Sequence, residues 1–387
     1  MKKIIIINII FVIMMLILQF FCISGQGFCK NISYAKPMAK SITTAEGMVT
    51  METSSGRVLY SKDASKRLPM ASTTKILTAI VAIENSDNLD KTHEIPKAAV
   101  GIEGSSIYLR SGEHLSLREL LYGLMLRSGN DSAVAIAIIV GGSVENFVRM
   151  MNDFCLKMGL QDTHIVTVNG LHDDNHYTSA YDLAKITSYA LQNETFSEIV
   201  STKFKTINNE TAKKDKHRYL KNKNRLLDMI VGADGVKTGY TKKAGRCFVG
   251  SATRDGMQVV CVVLNCVPMF EETADLLEHA FKEYKLVKLI SKGKLDGETL
   301  NLEDLQDAPI FAIRDVYYPL NSDEISKVKG KLKLYDNIEF PHKAEDAIGE
   351  MQVSLENDLI FSEKIYTINI EKQEGFEDIF LKILKAF

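Results

Sequence analysis

Strand-forming sequence lies in two places far apart in this 387-residue chain, and the stretch between them is helical in character. Met48-Val49-Thr50-Met51 and Arg57-Val58-Leu59-Tyr60 flank Ser54-Ser55-Gly56, a composition that predicts a turn between paired strands. Three further runs, Gly235 to Tyr240, Arg246 to Thr253 and Met257 to Cys266, are separated by Lys243-Ala244-Gly245 and Asp255-Gly256. Between these groups, Ser72 to about Asn193 carries helical segments such as Leu117 to Leu126 and Ala133 to Val140. The two strand groups can bury their apolar faces together if the intervening helices pack outside one shared sheet. The expected class is α+β: an antiparallel sheet flanked by helices with a helical insert, and a helix from Glu271 to about Lys288 packed back on it.

Past Lys288 the pattern becomes short alternating runs, among them Lys331-Leu332-Lys333-Leu334-Tyr335 and Lys364 to Ile370. This periodicity predicts half-buried strands, and 289–371 is read as a small β-sandwich domain after a main domain at 45–288. Phe376, Ile379, Phe380, Ile383, Leu384 and Phe387 fall on one stripe of a helix over 374–387. Its rise of about 20 Å is too short for a hydrocarbon core of about 30 Å. Such a helix lies in the membrane surface or, in the alternative, caps the β-domain. At the other end, Lys2 and Lys3 precede an apolar run from Ile4 to Ile23, broken only by Asn8 and Gln19, and Ser33-Tyr34-Ala35 offers a cleavage site. Residues 1–35 are read as a secretory signal. An uncleaved anchor is the alternative, and both export the body because the lysines stay inside.

Lys and Arg number 47 against 49 Asp and Glu, so no basic excess points to nucleic acid. The six cysteines show no C-x-x-C spacing, which argues against a zinc ribbon or a disulfide framework. Cys247, Cys261 and Cys266 sit in strand-like runs and are read as small core residues. Lys203 to Arg225 holds nine Lys/Arg against Glu210 and Asp215. It is expected to be a solvated loop, with contact to an anionic wall polymer or lipid headgroups as the second reading.

Chemistry enters at Ser72-Thr73-Thr74-Lys75, placed just before the apolar run Ile76 to Val81. Residues three apart on a helix share a face, so the Lys75 amine can take the Ser72 proton if a nearby cation and desolvation lower its pKa. Ser33-Lys36, Ser291-Lys294 and Ser326-Lys329 repeat the spacing, so the motif needs company. Ser128-Gly129-Asn130 supplies it at the end of a helical stretch, where a tight loop can present a hydroxyl and an amide. The similar Ser86-Asp87-Asn88 lies fourteen residues past Ser72, about 21 Å along the same helix, and cannot reach that hydroxyl. The third element, Lys237-Thr238-Gly239, occurs once, in a predicted strand after an Asp234-Gly235 turn. There the Lys offers a fixed positive charge, the Thr a hydroxyl for a carboxylate, and the Gly room for a substrate backbone along the strand edge.

The three elements together resemble the S-x-x-K, S-D-N and K-T-G set of penicillin-binding proteins and class A β-lactamases. Ala45 to about Lys288 looks like the serine-type D-Ala-D-Ala carboxypeptidases, the low-molecular-mass penicillin-binding proteins. Pro69 to Lys75, Leu126 to Asp131, Asn169-Gly170-Leu171, His176 to Asp182 and Asp234 to Thr241 carry the likeness. So does the plan of signal, catalytic domain, β-domain and amphipathic tail, and Ser-Gly-Asn favours the carboxypeptidase branch. The resemblance implies a β-lactamase/transpeptidase-like fold and removal of the terminal D-Ala from peptidoglycan stem pentapeptides, with penicillins acylating the same serine. It implies Ser72 as nucleophile, Lys75 as base, Ser128 as proton relay and Asn130 on the substrate amide. It further implies Lys237 and Thr238 on the terminal carboxylate, and the N–H groups of Ser72 and Tyr240, which follows Gly239, as oxyanion hole. Each such donor is typically worth about 3 kcal/mol. No cofactor or metal is called for. Family members often place an Arg after the third late strand; here that strand ends Leu264-Asn265-Cys266-Val267-Pro268.

Rival readings are a β-lactamase, a metallopeptidase and a non-enzymatic wall-binding or penicillin-sensing protein. A class A lactamase needs a deacylating Glu. Glu145, Glu194, Glu198 and Glu210 lie between Asn130 and Lys237, none in a Glu-x-x-Leu-Asn setting. His172 and His176, with His164, Asp173 and Asp174, imitate metal spacing, but Asn169-Gly170 and Asp173-Asp174-Asn175 mark a loop and the HExxH glutamate is missing. Solvated loop histidines are the expectation.

Overall fold

The sheet begins with a hairpin whose turn is gathered by one carboxylate, between β1 (Gly47–Glu52) and β2 (Val58–Lys62). Glu52 accepts from the backbone N–H and hydroxyl groups of Ser54 and Ser55 at 2.5 to 2.9 Å. Gly56 takes the left-handed φ of +69° that returns the chain. A computed structural model describes residues 43–208, 216–302, 305–335 and 343–368. The signal segment and the tail helix expected from the sequence lie outside the described residues.

A 3₁₀ turn, Ala71–Thr74, runs into α1 (Lys75–Glu84), which is buried from Lys75 to Ile83. β3 (Thr92–Glu94) pairs with β4 (His114–Ser116), and a capping box of Ser116 and Glu119 starts α2 (Leu117–Leu126). The insert continues through α3 (Asn130–Gly141), α4 (Val144–Lys157), α5 (Ala180–Leu191) and α6 (Glu194–Ser201). The basic segment then departs from the expected loop, because β5 (Phe204–Asn208) pairs with β6 (His217–Lys221). Ile207 and Leu220 are buried, and Lys205 and Arg218 share that inner face, so a simple charge count concealed a two-faced ribbon.

β7 (Ala233–Thr241), β8 (Gly245–Arg254) and β9 (Met257–Leu264) complete an antiparallel sheet in the order β2-β1-β9-β8-β7. β9 is central, and its near-continuous apolar sequence reflects burial on both faces. Val260, Val262 and Leu264 join Val49 and Met51 against the helical insert. Val259, Cys261 and Val263 join Met48 and Phe248 against Leu276 and Leu277 of α7 (Met269–Glu283). Each such side chain contributes about 1.5–3 kcal/mol relative to exposure. Cys247, Cys261 and Cys266 are buried, as expected. Asp234-Gly235 is not a turn: it lies inside β7 at a register shift. The Asp234 carboxylate is spent across neighbouring strands, accepting from Ser251, Thr253 and Gln258 at 2.5 to 2.9 Å.

α7 stops at Glu283, short of the expected Lys288. Tyr284 is extended, and the next residues form β10 (Lys285–Ile290), followed by β11 (Gly293–Leu302), β12 (Leu305–Ala312) and β13 (Val316–Leu320). β10 pairs with β13 and β11 with β12. Arg57 holds this region, its guanidinium 5.2 Å from the ring centroids of both Tyr284 and Tyr318 and paired with Glu324 at 2.5 Å. A second compact unit begins at Val328. Within it β14 (Val328–Leu334), β15 (Gly349–Leu355) and β16 (Asp358–Tyr366) form an antiparallel meander with Val353 and Ile365 buried.

Candidate active site

Ser72 stands on a backbone held from three sides. Ala71, just before it, has φ +49°, a left-handed conformation that costs a residue with a Cβ roughly 1–2 kcal/mol. Thr73 and Thr74 tighten the turn by donating to the Met70 and Ala71 carbonyls at 2.6 and 2.8 Å. Gly170, φ +80°, lies on the Ala71 carbonyl so closely that a Cβ there would fall 2.0 Å from its oxygen. From the sheet side, a Cβ on Gly239 would sit 3.1 Å from the Met70 oxygen and from the Ser72 and Thr73 nitrogens. Gly239 therefore lets β7 approach the nucleophile's turn, a reason more specific than room for substrate.

The Lys75 Nζ is fully buried and lies 3.0 Å from Ser72 Oγ, 2.8 Å from Asn130 Oδ1 and 2.5 Å from the Asn169 carbonyl oxygen. Burial holds its pKa well below the ordinary lysine value, and the charges of Lys237 and Lys223 add to that against the opposing pull of Asp131. The amine donates to Asn130 Oδ1 and the Asn169 carbonyl, and a lowered pKa favours the deprotonated form, whose lone pair can face the Ser72 hydroxyl.

Ser128 follows α2 in a left-handed conformation, φ +62°, and is buried two residues before Asn130. Asn130 is fixed by donating from Nδ2 to the Glu103 carbonyl at 2.5 Å and from its backbone to the Ser105 carbonyl at 2.7 Å. Lys237 is buried on β7 and donates to the Thr238 carbonyl at 3.0 Å. Burial, aided by Lys223, lowers the pKa of its amine to about 7. Thr238 is half-buried and Tyr240 is exposed on the same edge strand. An unpaired strand edge is a template for an extended peptide.

Sequence reasoning missed several supporting groups. Lys223 donates to Ser105 Oγ at 3.0 Å and depresses both buried lysines, yet it sits in a segment read only as basic. Asp131 gathers the 106–109 loop, accepting from Ser106, Ile107 and Leu109 at 2.5 to 3.2 Å. His176 is buried rather than solvated. Its Nδ1 accepts from Val166 N–H at 3.0 Å, which leaves Nε2–H to donate to Thr74 Oγ1 at 2.8 Å. Burial lowers its pKa to about 4. The Asn-Gly-Leu and His-Tyr-Thr runs were visible in the sequence, but their partners in the Ser72 turn were not. His172 pairs instead with Asp174 at 3.3 Å.

A serine hydroxyl 3.0 Å from a buried lysine amine, beside the edge strand β7, is the arrangement of a serine acyl-enzyme hydrolase. A family profile described as D-alanyl-D-alanine carboxypeptidase matches residues 34–267, and that of the penicillin-binding protein 5 C-terminal domain matches residues 284–372. D-alanyl-D-alanine carboxypeptidase DacF of Bacillus subtilis is 31% identical over 347 residues, spanning 86% of this chain and 87% of that one. The D-alanyl-D-alanine carboxypeptidase of Streptomyces sp. strain K15 is 38% identical over 244 residues, 59% of this chain and 84% of that one. Penicillin binding protein 5 from Haemophilus influenzae superposes with a TM-score of 0.73 at 28% identity, covering 86% of this chain and 99% of that structure. The chain belongs to the D-alanyl-D-alanine carboxypeptidase family, as the sequence resemblance implied. It is a serine hydrolase of peptidoglycan metabolism with a transpeptidase-like catalytic fold and an all-β C-terminal domain.

Proposed function

We propose that Ser72 attacks the carbonyl carbon between the last two residues of a stem pentapeptide while Lys75 Nζ takes its proton. The Oγ–C bond forms, the C–N bond breaks, and the proton taken by Lys75 passes through Ser128, which gives one proton and regains one, to the departing D-Ala amine. Water then hydrolyses the ester. Asn130 steers the substrate amide, Lys237 and Thr238 receive the terminal carboxylate, and the N–H groups of Ser72 and Tyr240 hold the oxyanion. The observation that carries this reading is the Lys75 amine, 3.0 Å from Ser72 Oγ with two other acceptors already in place. Penicillins enter the same cleft and leave a long-lived ester.

In this reading the segment 1–35 exports the protein and the amphipathic sequence of 374–387 associates with the outer face of the cytoplasmic membrane, so that catalysis occurs between membrane and wall. The experiment is D-Ala release from a soluble acyl-D-Ala-D-Ala peptide by the wild type, Ser72→Ala and Ser128→Ala. Release by the wild type and loss in both variants is expected; undiminished release by Ser72→Ala would overturn the assignment.

A further inference from the structure

Among the described residues, four Tyr and Phe side chains are more than 60% exposed: one beside Gly239, one on the loop that holds Asn130, and two on the hairpin tied to that loop. Tyr240, 62% exposed, directly follows Lys237-Thr238-Gly239. Tyr108, 80% exposed, stands on the loop whose Glu103 and Ser105 carbonyls accept from Asn130. Phe204 and Tyr219, 67% and 70% exposed, share the outer face of the β5–β6 hairpin. Arg218 ties that hairpin to the loop, donating to the Ile107 and Tyr108 carbonyls at 2.9 and 3.1 Å and pairing with Glu113 at 2.7 Å. Exposure is not this fold's general habit with rings: Tyr60, Tyr122, Phe147, Phe196 and Phe248 are all buried.

Large rings left in water on segments that are linked to one site are candidates for a binding surface. The chemistry of the surface is amphipathic. The outer face of the hairpin alternates Phe204 and Tyr219 with Thr206, Asn208, His217 and Lys221, all exposed. The Lys221 ammonium lies 5.7 Å from the Phe204 ring centroid and the Arg246 guanidinium 5.7 Å from that of Tyr240. A sugar ring matches this composition: its C–H faces stack on aromatic rings, its hydroxyls need polar neighbours, and carboxylates on attached peptides meet the cations. The substrate of this enzyme family is a peptide borne on such a polymer, so the carrier chain must cross a surface continuous with the cleft.

We propose that Tyr108, Phe204 and Tyr219, continuing from Tyr240, form a track that binds the glycan chain of peptidoglycan. This rests on the peptidoglycan-peptidase reading and adds a recognition surface for the carrier of the scissile peptide. The test uses the full chain carrying Ser72→Ala, cosedimented with purified wall sacculi whose stem peptides have been removed by an amidase. Binding to the bare glycan is expected, weakened about tenfold or more by the added pair Phe204→Ala and Tyr219→Ala. With Ser72 restored, the pair should slow D-Ala release from intact sacculi by a similar factor. Its kcat/KM on a soluble acyl-D-Ala-D-Ala peptide and its rate of penicillin acylation should stay within twofold, which also reports an intact fold. Undiminished sedimentation of the pair variant, or a defect seen only with anionic lipid vesicles, would overturn the track. Failure of the wild type to release D-Ala from the soluble peptide would instead refute the peptidase reading, whatever the glycan result.

Discussion

Acid should loosen the nucleophile's turn through one buried histidine. His176 has a pKa of about 4 in the folded chain against 6.5 for an ordinary histidine. Burial is the main cause, opposed by Asp173 and reinforced by His164, His172 and Lys75. The folded state binds fewer protons, so this stabilisation is complete above pH 6.5 and is lost as pH falls toward 4. A gap of 2.5 units corresponds to about 3 kcal/mol in full, of which about 2 kcal/mol is gone at pH 5. Gln has no proton to gain yet can donate to Thr74. Urea unfolding of the wild type and His176→Gln at pH 7.5 and pH 5 isolates the effect. The wild type should lose about 2 kcal/mol more than the variant between the two conditions. Parallel losses would refute the reasoning, because the imidazole would then carry no proton linkage.

Lys75→Ala should abolish penicillin acylation, a loss of about a thousandfold or more, while circular dichroism and thermal unfolding show a retained fold; ordinary acylation would exclude the amine as base. Gly170→Ala should reduce acylation by about a hundredfold and stability by about 2 kcal/mol. Its Cβ meets the Ala71 carbonyl at 2.0 Å and its φ of +80° disfavours a side chain; a silent substitution in stopped-flow acylation would contradict that packing. Lys223→Gln removes a charge that depresses Lys75, so the acid limb of the acylation rate against pH should move to higher pH. An unmoved limb would remove Lys223 from the electrostatics of the site.

The catalytic frame was legible because its parts are written locally. Ser72 to Lys75, Ser128 to Asn130 and Lys237 to Gly239 are each short enough to read, and the strand and turn signals around β1, β2, β8 and β9 fix the sheet that assembles them. What stayed hidden depends on distant partners. No local signal says that Gly170 lies on Ala71, that His176 faces Thr74, or that Glu103 and Ser105 hold Asn130. The lowered pKa of Lys237 was not legible, because burial, its cause, is a property of the fold. The β5–β6 hairpin was misread because Lys205 and Arg218 look like solvated charges until their inward face is seen. Arg218 in fact donates to three backbone carbonyls. Tyr284 and the strand after it were taken into α7 because their pairing with β13 and the stacking of Arg57 lie outside any local window.

The central claim is that Ser72 forms the acyl-enzyme. Intact mass and peptide mapping after mixing the protein with a penicillin, followed over time and repeated with Ser72→Ala, tests it directly. A single persistent adduct on the peptide containing Ser72, absent from the variant, is the expected result. An adduct on another residue, or one that still forms in Ser72→Ala, would contradict it.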